Sequence, residues 1–185
     1  MPRPDNIGRE KTQQQQVLRA LDKLKNDLRD RKPSDLESMV KRQKKEEDEL
    51  ESLEKRQETL NKKLDEAQSE KDPQKREETL QQLRKEQRQL QDDIEDSVRR
   101  LRKLQAKKSG DAARRAAEEL ERAENALDAG DAEGAEREMT EALDDLKQAR
   151  RELAEERQRT EMKLAQELLE KIGNDIHARI ARQQG

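Results

Sequence analysis

Residues 50–67 read LESLEKRQETLNKKLDEA, and one set of positions in this stretch recurs at alternating steps of three and four. That set is Leu50, Leu53, Gln57, Leu60, Leu64 and Ala67. Such spacing places the side chains on one face of an α-helix, in the seven-residue repeat of helices that pack lengthwise. The spacing extends back to Leu36 and predicts a helix over about 35–70.

A second run with the same repeat follows the break at Asp72-Pro73, and it predicts a helix over about 73–107. Asp can cap a helix and Pro suits its first turn. The repeat is formed by Leu80, Leu83, Gln87, Leu90, Ile94, Ser97, Leu101 and Leu104. Because the two runs have similar length and a short connection, we predict an antiparallel coiled-coil hairpin over 34–108. The alternative is a continuous rod that kinks at Pro73.

Two further regions flank this hairpin. Residues 1–33 predict an N-terminal helix over about 9–31 with a flexible start, because Val17, Leu21, Leu24 and Leu28 recur on one helical face. The helix is expected to stop at Lys32-Pro33, since the residue before a proline disfavours helical angles. Residues 109–185 predict an Ala-rich helical hairpin, with a boundary at Ser109–Asp111, a helix over about 112–128, and a long C-terminal helix capped by Asp131. We expect an all-α fold of elongated antiparallel coiled-coil helical hairpins, with about five helices and no strands.

The long C-terminal helix is predicted to change its apolar face along its length. The first part carries Ala135, Met139, Ala142, Leu146, Ala149 and Leu153 at helical spacing. The repeat fades at Glu156 and Thr160. It resumes with a shifted phase at Leu164, Leu168, Ile172, Ile176 and Ile180. Gly173-Asn174 either ends this helix or weakens it.

Composition limits the core that these helices can build. Hydrophobic residues make up 28% of the 185 residues and aromatic residues are absent. Charged residues reach 47%, against about 25% in globular domains. This excludes a thick two-layer core and leaves narrow apolar seams between long helices. We expect a helical but marginal monomer that gains stability from a partner or from self-association. A free chain that is mostly disordered and folds on a partner is the alternative.

Ion pairs along single helices are expected to add to this stability. An acidic residue four positions before a basic one contributes about 0.2–0.5 kcal/mol. The pairs with this spacing include Glu51–Lys55, Glu58–Lys62, Glu95–Arg99, Asp96–Arg100 and Glu118–Arg122.

The residue inventory argues against an enzyme. Cys is absent, so disulfides, thiol nucleophiles and thiolate metal sites are excluded. His177 is the only histidine, and it lacks the companions that a general base or a metal site needs. The segment Asp128–Gly134 lacks the ligand spacing of a calcium loop. We therefore predict no catalytic, cofactor-binding or metal-binding residues, and no cofactor.

Charge and hydropathy bear on partners and location. The net charge is −3, and no apolar run approaches the length of a membrane span. The chain as given is expected to be soluble, with its compartment left open between cytoplasm and cell envelope. Two basic stretches, 41–45 and 99–108, allow a phosphate-contacting patch. For 99–108 we prefer the interpretation that its basic residues complement the dipole at the end of a helix. Nucleic acid is a disfavoured partner, because the chain has no aromatic residue to stack on bases.

Several short segments resemble a known kind of protein. The segments are LEKRQETL at 53–60, LRKEQRQL at 83–90, ALDAGD at 126–131 and EAL at 141–143. In this order they resemble the Gln/Glu/Leu/Ala-rich helical segment of large bacterial envelope-anchored proteins of unknown function. The resemblance spans about 40–155. It implies a fragment of a longer chain, tethered to a membrane elsewhere, and brings no functional residues.

These observations predict a non-enzymatic structural spacer or protein–protein interaction scaffold that acts through coiled-coil helices. The expected partner is another protein or a second copy of the chain. The predicted interaction seam comprises Leu50, Leu53, Gln57, Leu60, Leu64, Leu83, Gln87, Leu90, Ile94 and Leu101. The alternative is a peripheral membrane-remodelling or polyanion-binding helical protein that uses the basic stretches 41–45 and 99–108.

Overall fold

A computed structural model describes the backbone of residues 35–184, with side chains to Ala178 and that of Arg182. This part of the chain is helical apart from three short connections and contains no strand, which confirms the all-α class there. Its helices are α1 (Asp35–Ser69), α2 (Pro73–Lys103), α3 (Lys107–Asp128) and α4 (Ala132–Gln184). The described helices number four rather than five, because the predicted helix over 9–31 lies outside the described residues.

Two of the connections use the predicted caps. A side-chain oxygen of Asp72 accepts a hydrogen bond from the Gln74 N–H (2.9 Å), and Pro73 is the first residue of α2. Asp131 accepts in the same way from the Gly134 N–H (2.9 Å) at the start of α4. Each bond satisfies a backbone donor that a helix start otherwise leaves unpaired. Both capping predictions are confirmed.

The connection between α2 and α3 lies earlier than predicted. We expected a break at Ser109–Asp111, whereas α2 ends at Lys103 and α3 begins at Lys107. Gln105 takes the left-handed conformation (φ 58°), and the Ala106 N–H donates to the Leu101 carbonyl (3.1 Å). Because this conformation is usually taken by glycine, a glutamine there gives no sequence signal for the turn.

Gly110 and Asp111 therefore have other roles than the predicted boundary. Both lie within α3, so Asp111 does not cap a helix. Gly110 is buried, and a Cβ atom there would lie 3.7 Å from the Leu101 Cβ. This distance is an ordinary van der Waals contact, so the packing of α3 against α2 would also accommodate an alanine at position 110. A described glycine that does follow a helix end is Gly130 (φ 76°), two residues after the last residue of α3.

The last helix continues without a break past Gly173. It holds 53 residues, which at 1.5 Å per residue corresponds to about 80 Å. Gly173-Asn174 does not end the helix, because a single glycine costs only about 1 kcal/mol in a helix interior. The helix is far longer than α3, its neighbour in sequence, which has 22 residues.

The four helices pack in a ring. Helix α1 lies beside α2 and α4, and helix α3 lies beside the same two. Within residues 35–184 no Cα atom of α1 lies within 8 Å of one in α3, and none of α2 lies within 8 Å of one in α4. Lys63, late in α1, pairs with Glu86 early in α2 (2.6 Å), whereas Glu46 pairs with Arg100 late in α2 (2.6 Å). These contacts run in opposite directions along the two helices. The same reversed order holds for the other three neighbouring pairs.

The shared core joins leucine-rich and alanine-rich surfaces. Helices α1 and α2 supply mainly leucines, and α3 and α4 supply mostly alanines; residues on both sides of position 108 belong to one cluster. The buried alanines of α3 and α4 are Ala112, Ala113, Ala116, Ala117, Ala123, Ala135, Ala142 and Ala149. Small side chains let helix axes approach closely, so a core can form from few large residues.

Candidate interaction surfaces

The predicted seam residues all lie in the interior. Each of the ten, from Leu50 to Leu101, is at most 4% exposed. They are buried against other helices of the same chain, so they are not free to bind a partner in this structure. Any surface for a partner has to be sought elsewhere on the helices.

The glutamines of the seam connect neighbouring helices. The Gln57 Nε2 group donates to the Met139 carbonyl of α4 (3.2 Å) and to the Asn61 Oδ1 atom (2.7 Å). The Gln87 Nε2 group donates to the Leu120 carbonyl of α3 (2.9 Å). Such bonds specify the axial register of one helix against the next, which hydrophobic packing alone specifies only weakly.

The same glutamines also carry a cost. Within residues 35–184 the Oε1 atoms of Gln57 and Gln87 have no hydrogen-bond partner, and neither polar atom of the buried Gln43 side chain has one. An unsatisfied buried polar group costs about 1–3 kcal/mol. The polar seam positions thus favour a unique register over maximal stability.

Buried carboxylates supply further links between helices. Glu46 of α1 accepts hydrogen bonds from the Ser97 Oγ (2.5 Å) and the Arg100 Nε (2.6 Å) of α2. Glu54 of α1 accepts from the Arg150 Nε of α4 (2.7 Å). The hydrogen bond to Glu46 raises the pKa of Arg100, and the hydrogen bond to Glu54 raises the pKa of Arg150. Helix α1 is therefore held to both of its neighbours by charged contacts.

One buried carboxylate has an unfavourable environment that the sequence did not reveal. Burial raises the pKa of Glu119, and the nearby acidic groups of Asp145, Glu141 and Glu138 raise it further, against the opposing effect of Arg122. The Glu119 Oε1 atom accepts from Arg122 (3.0 Å), but no partner for Oε2 exists among the described residues. Ionised Glu119 thus weakens the contact between α3 and α4.

Replacing this carboxylate should stabilise the protein at neutral pH. A folded-state pKa above the unfolded value contributes stability that is complete below about pH 4.5 and lost as the pH rises through the folded pKa. We therefore expect Glu119→Gln to raise the free energy of unfolding by about 1 kcal/mol at pH 7 and to give no gain below pH 4. Urea unfolding at both pH values measures this. Glu121→Gln, at an exposed position of the same helix, should change neither value. A destabilised Glu119→Gln protein at pH 7 would contradict the assignment.

An apolar stripe remains exposed on the second half of α4. Met162, Leu169 and Ile176 are spaced seven residues apart and are 61%, 69% and 46% exposed. The exposed Ala165 and the half-buried Ile172 lie between them at steps of three and four. We call these five residues the α4 stripe. No described side chain of α4 after Thr160 is buried, so the α4 stripe is a candidate interaction surface.

The sequence analysis placed this face at neighbouring positions. It selected Leu164, Leu168, Ile172, Ile176 and Ile180. In the structure Leu164, Leu168 and Ile172 are half-buried and Ile176 is exposed, while the Ile180 side chain lies outside the described set. The α4 stripe has the same steps of three and four as residues 50–67. These steps could have predicted the α4 stripe from the sequence. The sequence analysis instead followed Leu164 and Leu168, which are four residues apart.

The two basic stretches meet in part. Arg42 and Lys45 of the first stretch line a cleft together with Arg100 and Lys103 of the second. Lys107 and Lys108 lie beyond the connection, in the first turn of α3. The last turn of α2 contains three basic residues, the placement that complements a helix dipole. The structure thus combines the dipole arrangement with a cationic cleft between α1 and α2.

Three further observations concern metal-ligating residues, the histidine and membrane spans. Among residues 35–184 no group of three or more metal-ligating side chains comes together. His177 is exposed. No described helix is both long and apolar enough to span a membrane.

The fold and surfaces together define an all-helical protein whose four described helices pack in a ring around one core, with an exposed apolar stripe and a cationic cleft. Comparison with protein families places it more narrowly. The chain belongs to the family described as "Domain of unknown function (DUF4175)", whose model matches residues 2–182. None of the curated proteins and none of the solved structures compared with the chain matches it.

Proposed function

We propose that this protein is a non-enzymatic structural spacer or protein–protein interaction scaffold, which binds a partner protein or a second copy of itself through its helices. The α4 stripe is the observation that carries this proposal. Three large apolar side chains, Met162, Leu169 and Ile176, are exposed at heptad spacing, the spacing by which one helix packs lengthwise on another.

The finer description of the fold belongs to the same proposal. Elongated antiparallel coiled-coil hairpins are supported by the steps of three and four in α1 and α2 and by the reversed order of the contacts between them. The parent protein implied by the resemblance, a long bacterial chain anchored in the envelope, is also part of it. Membership in a family of unknown function fits this proposal without adding to it.

The spacer role depends on length and register. Helix α4 alone corresponds to about 80 Å. Glu54 and Gln57 tie it to α1 through Arg150 and the Met139 carbonyl. A long helix held in one register can keep its two ends at a fixed separation, and the apolar stripe gives one portion of it a surface for attachment.

The test combines light scattering with small-angle X-ray scattering on the wild-type chain. We expect a longest dimension of at least about 80 Å and a mass that rises with protein concentration. Met162→Gln/Leu169→Gln/Ile176→Gln should remain monomeric with unchanged helicity, because none of these residues is buried. Lys163→Gln/Glu167→Gln/Glu170→Gln, at exposed positions of the same helical segment, is the matched control and should associate as the wild type does. A compact monomer at all concentrations, with the two variants indistinguishable, would rule the proposal out.

A further inference from the structure

The cleft between α1 and α2 has a distinct lining. It lies where the early part of α1 faces the last turn of α2, and its volume is about 320 Å³. Helix α1 contributes two basic and two acidic residues, and α2 and its end contribute two basic residues and one leucine. The lining residues are Arg42, Lys45, Glu46, Glu49, Arg100, Lys103 and Leu104.

Positive charge exceeds negative charge in this cleft. Four cationic side chains face two carboxylates, which leaves an excess of two positive charges. Among the described residues Arg42, Lys45 and Lys103 have no ion-pair partner, whereas the neighbouring Lys44 pairs with Asp48 (2.9 Å). Three cations without an ion pair within residues 35–184 therefore converge from two helices on one concave surface, where Glu49, also unpaired within that range, offsets one of their charges and an anion would interact with all three at once.

One guanidinium in the cleft is held in place. Glu46, at 4% exposure, accepts the Arg100 Nε hydrogen bond (2.6 Å) and is itself fixed by the Ser97 hydroxyl (2.5 Å). Within the described residues the terminal nitrogens of Arg100 have no other partner. The carboxylate thus positions a planar donor group before any ligand arrives, and a positioned arginine loses little entropy on binding an oxyanion.

We propose that this cleft binds a ligand with two or more adjacent phosphate groups, a site that goes beyond the scaffold function. Several cations at close range favour clustered negative charge over a single phosphate. The lining offers one leucine to an apolar group, and the chain contains no aromatic residue to stack on a base. Condensed phosphate and the headgroup of a two-phosphate lipid share the chemistry that these residues recognise.

The test measures binding of inorganic tripolyphosphate to the full chain by titration calorimetry at low salt. We expect the binding to weaken strongly at physiological ionic strength, because salt screens exposed charges. Orthophosphate should bind more weakly than tripolyphosphate, because it carries less negative charge. Arg42→Gln/Lys45→Gln/Lys103→Gln should bind tripolyphosphate at least about tenfold more weakly. All three side chains are exposed, so the fold should persist, and circular dichroism verifies this.

The matched control removes the same charge elsewhere. Lys62→Gln/Lys85→Gln/Arg137→Gln alters three exposed cations that have no ion-pair partner within the described residues, and it should bind as the wild type does. An equal loss in both variants would mean a diffuse electrostatic effect and would overturn the site. Failure of the wild type to bind tripolyphosphate would also overturn it.

A vesicle arm identifies the source of the phosphates. Vesicles containing cardiolipin, with two phosphates per lipid, are compared with vesicles of equal charge made from phosphatidylglycerol. Preference for cardiolipin, abolished by tripolyphosphate and by the cleft variant, assigns a lipid headgroup. Tripolyphosphate binding without vesicle binding assigns a free condensed phosphate. Duplex DNA that binds more tightly than tripolyphosphate and is not displaced by it would refute the proposal.

Discussion

Insertion of one alanine after Leu60 should cause a large loss of stability. The extra residue rotates the remainder of α1 by about 100° around the helix axis, which turns the fully buried Leu64 and the buried Ala67 away from the core. It also displaces Lys63 from its contact with Glu86 (2.6 Å) on α2. We expect the free energy of unfolding to fall by about 3–6 kcal/mol, measured by urea unfolding followed by circular dichroism.

The control for this insertion lies a few residues further on. One alanine inserted after Glu70, in the exposed connection between α1 and α2, leaves both helices in register. It should change stability by less than about 1 kcal/mol, since the cost of lengthening a loop grows slowly. Equal melting of the wild type and the Leu60 insertion would show that α1 does not depend on its register.

Leu90→Ala is expected to have the second-largest effect. The Leu90 side chain is fully buried near the middle of α2. Its truncation removes buried apolar surface and leaves a cavity. A Leu→Ala substitution in a core usually lowers the free energy of unfolding by about 2–5 kcal/mol. Urea unfolding of dilute protein measures this loss.

Leu169→Ala is the matched substitution on the surface. The same chemical change at a side chain that is 69% exposed should alter the stability of the monomer by less than about 0.5 kcal/mol. Its effect should appear only where the α4 stripe is covered, as weaker association. Similar losses for the two variants would contradict the division between core seam and exposed stripe.

The sequence alone predicted only some of the ion pairs within single helices. The predicted Glu51–Lys55 pair is present (2.5 Å). Glu58 instead pairs with Lys147 of α4 (3.5 Å), and Arg100 pairs with Glu46 of α1. A residue four positions away competes with any opposite charge on an adjacent helix, and the sequence does not state which helices are adjacent.

The candidate surfaces show the same division. The seam from Leu50 to Leu101 was visible as a repeat, but the repeat does not tell whether the chain or a partner covers it. The ring of helices covers it internally, and the exposed face is the α4 stripe. The basic stretches were likewise visible, while the pairing of α1 with α2 brought Arg42 and Lys103 to one cleft.

The sequence by itself determined the helical class, the caps at Asp72 and Asp131, and which face of α1 and α2 is apolar. These features depend on backbone propensity and on periodicity, which act over a few residues. Only the tertiary structure decided the turn at Gln105, the partners of Glu46 and Gln57, and the burial of Glu119. The sequence gives no signal for the turn because Gln105 stands where a glycine is usual. The other features depend on which helices become neighbours, because the partners of Glu46 and Gln57 lie on α2 and α4 and the acidic groups that raise the pKa of Glu119 lie on α4.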